Sequence, residues 1–301
     1  MRAPTINFTS SLLSSLNRNN VQLNKLMDQF TQQKRVVNPS DDPLASTRLA
    51  QLNRDLAATK QYQTNIDRLS SSLSQQEVQV EGISNQLLTL MDKLREANNS
   101  TLSPEDMGGY ATEINAMMGT MVSQLNSRDE SGRYMFAGTL TNQVPVVQDA
   151  SGKWVYQGNR DGINTVVGNG VEMRSNTDLT AVFGNDLATL NTLQDLATKM
   201  ADAANNPADY LDDISAALAS VQTSSDRTAA LFTDLGGRQN NLSLLKEAHI
   251  DNKFINDEIV NDLQAMDMPE VVLKLTQYTQ VTQASYKMYS QISSLSLFTL
   301  G

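Results

Sequence analysis

Hydrophobic residues near both ends of the chain recur at alternating steps of four and three. Between residues 5 and 30, five of eight positions in this register are large and apolar, and between 271 and 296 the count is again five of eight. This spacing is typical of a narrow helical stripe of the coiled-coil type. We call the two stripes the N-terminal seam and the C-terminal seam. They consist of Leu12, Leu16, Leu23, Leu26 and Phe30, and of Val271, Leu275, Tyr278, Tyr289 and Ile292.

Two prolines interrupt the helical pattern shortly after the N-terminal seam. We call this segment the helix-break motif. It reads Asn38, Pro39, Ser40, Asp41, Asp42 and Pro43. Proline lacks an N–H and restricts the residue before it, so the first helix should end here. Asp42 is placed to cap the next helix, of which Pro43 would be the first residue. Capping therefore explains the paired aspartates better than a catalytic role does.

A long second helix is predicted from Pro43 to about Asn98, because nine of ten positions along its seam between 66 and 97 are apolar. Ser103, Pro104 and an acidic first turn then mark the start of a third helix. Since the link between the two helices is short, we expect them to be antiparallel.

The pattern changes after residue 132, where glycines alternate with short β-branched and aromatic runs. This texture predicts four to six strands, with a hairpin at Gly168–Gly170. Helical spacing returns near Asn185, with breaks at 205–207 and at Met268-Pro269 and a weak point at Gly236-Gly237.

The predicted fold is therefore mainly α. Segments from both ends build a long antiparallel helical-bundle rod, and a small β-rich domain is inserted in its middle. We expect three domains: terminal coiled-coil-type helices (1–42 and 268–301), a helical rod (43–132 and 185–267) and the β-rich outer domain (133–184).

The seams suggest how the ends are used. A helix of about 30 residues cannot bury such a stripe by itself. The two ends could pair with each other, or they could pack on the rod as ordinary amphipathic helices. We favour the hypothesis that they are mobile in the monomer and become ordered when copies dock, which would give rings or helical filaments.

Composition excludes several kinds of chemistry. The chain has 23 basic and 33 acidic residues, a net charge of −10, no cysteine and a single histidine. This balance argues against a nucleic-acid binder or a protein that binds an anionic membrane. It also excludes disulfides, thiol nucleophiles and multi-histidine metal sites. His249 has no clustered partner, so we expect it to have a structural or solvent-facing role. We also expect no cofactor, no metal and no enzymatic activity.

Targeting signals give a further expectation. No stretch reaches the roughly 20 consecutive apolar residues of a membrane span, and the first residues lack the apolar core of a secretory signal. The chain is thus expected to stay in the cytosol or to leave by a route without a cleaved signal.

Several motifs resemble those of flagellin-like proteins. Val36–Ala45 resembles their helix break, Gly132–Thr139 the start of their outer β domain, and Leu235–Leu242 their returning helix. Gln283–Lys287 with Ser296–Phe298 is similar to the C-terminal ending of members that form the hook–filament junction. Flagellins usually carry Ala-Ala-Gly where this chain has Pro-Leu-Ala after the aspartates, which favours a junction member.

The resemblance implies a structural role in the bacterial flagellum. It implies export through the flagellar type III channel with help from a cytosolic chaperone, and an extracellular position at the hook–filament junction. It also implies self-assembly into a ring between the other hook-associated junction protein and flagellin. Two alternatives stay open: a minor flagellin, and a secreted adhesin whose β domain binds a ligand while the helices act as a stalk.

Overall fold

The fold was analysed in a computed structural model that describes residues 3–99, 102–202 and 210–298, with side chains from 10 to 291 in these ranges. Six α-helices make up most of the described chain. They are α1 (Ala3–Gln32), α2 (Pro43–Ala97), α3 (Pro104–Leu125), α4 (Ala188–Ala201), α5 (Leu211–Gln264) and α6 (Met268–Phe298). None of these described helices combines the length and apolarity that a membrane span needs.

The β-rich insert contains two separate antiparallel hairpins among the described residues. The first pairs β1 (Val146–Gln148) with β2 (Trp154–Tyr156), and the second pairs β3 (Asn164–Gly168) with β4 (Val171–Arg174). The second turns at the glycines that the sequence indicated, and four strands fall within the predicted range. Two short 3₁₀ helices, Leu179–Phe183 and Asn185–Leu187, then lead into α4.

The chain divides into two compact units. The terminal unit comprises Met1–Ala58 and Asp251–Gly301, and the central unit comprises Thr59–Ile250. The central unit has one continuous apolar core, built from the seam of α2, the inner face of α3, and residues of the insert, α4 and α5. Met107, Met118 and Met121 of α3 are fully buried in this core, as expected from their helical spacing. In the terminal unit, α1 packs along α6.

Helix boundaries follow the capping signals closely. The Asp42 carboxylate accepts a 3.0 Å hydrogen bond from the Ala45 N–H at the start of α2. At the start of α3, Ser103 and Asp106 form a reciprocal capping box. Both starts lie where the sequence predicts them, because a polar side chain replaces the missing helical acceptor for an orphan N–H.

Three expectations for the returning helices had different outcomes. The α5 helix runs through Gly236-Gly237 without a break, since the flanking Leu235 and Leu242 are almost fully buried. The break predicted at Met268-Pro269 lies slightly earlier: α5 ends at Gln264, and the proline occupies the first turn of α6, where its missing N–H costs nothing. The break predicted at 205–207 lies outside the described residues.

Asparagine side chains hydrogen-bond the first hairpin to α3 and α4. Asn126, at the end of α3, donates to the Val146 carbonyl at 2.8 Å and accepts from the Val146 N–H at 2.9 Å. Asn191 of α4 makes the same two-way contact with Trp154, at 3.0 and 2.8 Å. Each amide reproduces the donor–acceptor pair of a neighbouring strand, so short strands are held without a larger sheet.

Side chains of α2 and α5 hold the second hairpin by its backbone carbonyls. Asn65 donates to the Val166 carbonyl at 2.8 Å, and the His249 Nε2 lies 2.8 Å from the Val167 carbonyl. Arg238 donates to the carbonyls of Arg174 and Asn176. The single histidine therefore has a structural contact, in keeping with its sequence interpretation.

A short turn occurs twice, once at the start of the insert and once within it, 20 residues apart. Asp129–Tyr134 and Asp149–Trp154 both read Asp-x-Ser-Gly-basic-aromatic. In each, the aspartate carboxylate accepts from the N–H groups two and four residues later, and the glycine has a positive φ of 78° or 82°. Glycine is needed there because other residues are strained in the left-handed region.

Candidate functional site

The terminal unit is the candidate functional site, because both seams and the helix-break motif belong to it. The segment between α1 and α2 hydrogen-bonds to the C-terminal end of α5. The Arg35 N–H donates to the Gln264 carbonyl at 2.9 Å, and the Arg35 guanidinium donates to the Leu263 carbonyl at 3.1 Å. Arg35 thus supplies donors and a positive charge to the C-terminal end of α5.

Both aspartates of the helix-break motif accept backbone hydrogen bonds and form ion pairs. Asp42 caps α2 and binds the Arg35 guanidinium at 3.0 Å. Asp41, whose side chain is 6% exposed, accepts from the N–H groups of Val37 and Asn38 and forms a 3.0 Å ion pair with Lys25 of α1. We call this interconnected group of Lys25, Arg35, Asp41 and Asp42 the elbow. It sets where α1 ends and α2 begins.

The electrostatics of the elbow favour ionised carboxylates. Burial raises the pKa of Asp41, but the N–H groups of Asn38 and Val37 and the Lys25 ammonium outweigh it, so this pKa lies below its usual value. The Ala45 N–H and the Arg35 guanidinium lower the pKa of Asp42 in the same way. Each carboxylate therefore stabilises the fold above its unfolded pKa of about 3.9, and this contribution is lost as the pH falls through the lower folded pKa.

Acid should therefore weaken the elbow, and the variant Asp41→Asn tests this. At neutral pH we expect it to lower the free energy of unfolding by about 1 kcal/mol, because the ion pair and one charged acceptor are lost. Below about pH 4 the difference from the wild type should shrink progressively, because the unfolded chain binds the proton first and the folded carboxylate becomes protonated only as the pH falls through its lowered pKa. Thermal unfolding followed by circular dichroism from neutral pH to about pH 2.5 measures both effects. The control is Asp28→Asn, which changes an exposed carboxylate on α1. A constant difference across the pH range would contradict the assignment.

The pairing of α1 with α6 places the two seams in one interface within the molecule. In the N-terminal seam, Leu16 and Leu26 are buried, Leu12 and Leu23 are half-buried, and Phe30 is 38% exposed. In the C-terminal seam, Val271 is buried, and Leu275, Tyr278 and Tyr289 are half-buried. The side chain of Ile292 lies outside the described residues. Their role in contacts between copies stays a prediction.

Sequence analysis missed a second apolar stripe, on the exposed side of α6. Leu273, Val281 and Met288 are 59%, 47% and 48% exposed, and Ala284 lies between them on the same face. We call these four residues the outer stripe. On α1, Leu13, Val21 and Met27 are also about half exposed. The outer stripe could have been found by noting apolar residues eight, three and four positions apart, a spacing that returns to one helix face.

Charge is divided unevenly between the two units. The central unit contains 13 basic and 23 acidic residues, which account for the whole net charge of −10. The terminal unit has equal numbers of both and is neutral. An exposed apolar surface on a neutral unit favours docking with other proteins, whereas like charges on the central unit oppose close approach.

The described residues offer no group of three or more acidic, histidine or cysteine side chains that could hold a metal ion. The terminal unit instead contains packed apolar helix faces, helix caps and ion pairs. Its most distinctive exposed feature is the outer stripe.

Comparison with known proteins gives matches to proteins of the bacterial flagellum. Residues 5–141 match the family model of the bacterial flagellin N-terminal helical region. Flagellar hook-associated protein 3 of Salmonella typhimurium is 30% identical over 152 residues, and the Escherichia coli protein of that name is 32% identical over 131 residues. These alignments cover 50% and 44% of this chain. The chain spans about half the length of these relatives, at 48% and 41%.

Solved structures share the fold. The flagellar junction protein FlgL from Legionella pneumophila aligns with a TM-score of 0.61 at 16% identity, over 72% of this chain and all of that chain. This likeness confirms the predicted mainly α fold with a small inserted β region.

A provisionally assigned flagellar hook-associated protein from Vibrio parahaemolyticus aligns with a TM-score of 0.69. It is 31% identical to this chain, and the alignment covers 75% of this chain and 100% of that one. Identity at this level over a whole relative carries more weight than a shared fold alone. This chain therefore belongs to the flagellin-like family of flagellar hook-associated proteins.

Proposed function

We propose that the chain is a structural, non-enzymatic adaptor at the hook–filament junction of the bacterial flagellum. It would link the other hook-associated junction protein to the flagellin filament. The observation that carries this proposal is the terminal unit, whose neutral, half-exposed apolar helices suit docking between subunits. The relatives named as hook-associated proteins support the same role, and so do the motif matches at both ends.

The proposal includes how copies are arranged. The terminal helices, 1–42 and 268–301, would form the inner part of a ring, the helical segments 43–132 and 185–267 its wall, and the insert, 133–184, its outer surface. Copies of the acidic central unit repel one another, so the neutral terminal unit is better suited to close contacts between copies. Before assembly, the exposed apolar residues of α6 would need cover, which favours a cytosolic chaperone and export through the flagellar channel.

Deleting the gene tests the proposal. The mutant should build hooks, fail to retain filaments and release flagellin into the medium, because no adaptor joins the two. Electron microscopy of cells and immunoblots of the medium measure the result, and expression of the wild-type chain from a plasmid is the control. Normal filaments on the mutant would reject the adaptor role.

A minor flagellin is the second candidate, favoured by the match to the flagellin N-terminal region. Purified protein that polymerises alone into long filaments would support it over the adaptor. The adaptor should instead stop at short assemblies.

A further inference from the structure

The turn of the second hairpin contains the only Asn-Gly pair in the chain, Asn169-Gly170. The side chain of an asparagine before glycine is open to attack by the next backbone nitrogen, because glycine has no Cβ to shield that nitrogen. The pair lies between Gly168 and Val171, which face each other across β3 and β4. Both residues of the pair are exposed. The hairpin therefore carries a chemically reactive asparagine at its tip.

The reacting groups of this turn are not held by hydrogen bonds. Among the residues that the structure describes, the Asn169 carboxamide has no hydrogen-bond partner, and neither has the Gly170 N–H. The first hairpin differs, because its Gly152 N–H donates to the Asp149 carbonyl at 3.0 Å. Gly170 has a φ of 70°, and no atom beyond its chain neighbours lies within 4 Å of a Cβ built there. A ring that forms beside Gly170 therefore meets open space.

Sites of similar sequence in the same unit are held more firmly. The carboxamide of Asn126, which precedes a serine, is hydrogen-bonded in both directions to the backbone of Val146. Asp161-Gly162 is the only Asp-Gly pair of the chain. The Asp161 carboxylate accepts from Asn159 at 2.9 Å, and its carbonyl accepts from Asn176 at 2.8 Å. An ionised carboxylate also repels a nucleophile. The fold thus distinguishes Asn169 from these sites.

We propose that Asn169 is a site of spontaneous deamidation. The Gly170 nitrogen loses its proton and attacks the Cγ of Asn169. An N–Cγ bond forms, the Cγ–Nδ2 bond breaks, and ammonia leaves with the proton. Water then opens the cyclic imide at either of its carbonyls and returns a proton to the nitrogen. Opening at Cγ gives aspartate, and opening at the main-chain carbonyl gives isoaspartate. The reaction needs no reactant other than water.

Both products change the hairpin. Each adds a carboxylate to a unit whose net charge is already −10. Isoaspartate also carries the main chain through Cβ, which lengthens the turn and disturbs the pairing of Gly168 with Val171. Asn65 and His249 contact the carbonyls of β3, so this strand should keep its place while the turn and β4 shift. The reaction does not depend on the adaptor role.

The test is incubation of the full-length protein for several weeks at mildly alkaline pH, followed by trypsin digestion and mass spectrometry. One tryptic peptide, residues 161–174, contains both Asn169-Gly170 and Asp161-Gly162. Most copies of this peptide should exchange the amide at residue 169 for a carboxylate. The rate should rise in proportion to the hydroxide concentration, because the attacking nitrogen must lose its proton. Asn126 should stay an amide in buffer and begin to convert only in urea, which unfolds the chain.

Two variants identify the reacting residue. Asn169→Gln should abolish the conversion, because a longer side chain has to close a larger and less favoured ring. Asn164→Gln, in the same peptide, is the matched control and should convert at residue 169 at the wild-type rate.

Three results would overturn the proposal. The first is an Asn169 that stays an amide in buffer, and conversion in urea alone would show that the folded turn prevents the attack. The second is conversion of Asn126 in buffer at the same rate, which would mean that exposure and hydrogen bonding do not select the site. The third is a rate that does not change with pH, which would exclude attack by the backbone nitrogen.

Discussion

Replacing both Val281 and Met288 with aspartate is expected to abolish assembly of the junction. Both side chains lie on the outer stripe and are about half exposed, so the monomer should fold normally. Against another subunit, each new carboxylate would be buried without a partner, at a cost of several kcal/mol. Cells carrying the variant should have hooks without filaments and should not swim in soft agar.

The matched control adds the same two charges, with the same seven-residue spacing, on the polar face of α6. Thr276 and Gln283 are both exposed, and Thr276→Asp with Gln283→Asp should leave swimming close to wild type. Equal loss of motility in both double variants would mean that charge on α6, and not the outer stripe, matters. Normal motility of the Val281 and Met288 variant would remove the stripe from the interface.

The second large effect is expected at Gly138, where the insert closes on itself. Gly138 has a φ of 68°, and a Cβ there would overlap the backbone oxygen of Asn159. Two hydrogen-bond donors, the Thr139 N–H and the Tyr156 hydroxyl, hold Gly138 and Asn159 at this short distance. The Thr139 N–H donates to the Asn159 carboxamide at 2.8 Å, and the Tyr156 hydroxyl lies 2.7 Å from the Asn159 carbonyl and 3.0 Å from that of Phe136. The backbone cannot withdraw without breaking these contacts.

Gly138→Ala should therefore lower the free energy of unfolding by about 3 kcal/mol, from left-handed strain plus a backbone clash. Gly152→Ala is the matched control, since its φ is 82° but no atom lies within 4 Å of the added Cβ. It should cost only about 1 kcal/mol, from strain alone. Chemical denaturation of both variants measures the difference. Equal losses would show that the close approach to Asn159 is unimportant.

The sequence predicts those parts of the fold that depend on local signals. The capping residues Asp42 and Ser103 and the apolar seam of α2 mark helices, because caps and periodicity act within a few residues. The glycines at 168 and 170 mark a hairpin for the same reason. The family motifs are local in this sense too, which is why the flagellin-like resemblance could be recognised.

What the sequence could not predict is the partner of each surface. An apolar seam in the sequence indicates that one helix face is buried. It does not indicate whether α6 or another copy of the chain buries that face. The contacts of Asn126, Asn191 and Arg238 with backbone atoms leave no signal in the sequence of their partners, because every residue has a carbonyl. The outer stripe is not evident in the sequence because polar residues separate its members. The stripe is exposed because the opposite face of α6 contacts α1, and this pairing is not evident in the sequence.

The central claim, that copies cover the outer stripe during assembly, can be measured with thiol labelling. The chain has no cysteine, so Val281→Cys introduces a unique thiol on the stripe, and Val171→Cys introduces one on β4 of the central unit. In the free protein, both thiols should react readily with a maleimide. In isolated hook–filament junctions, the thiol at 281 should become protected while the thiol at 171 stays reactive. If the thiol at 281 reacts as fast in junctions as in the free protein, the stripe is not an interface between subunits.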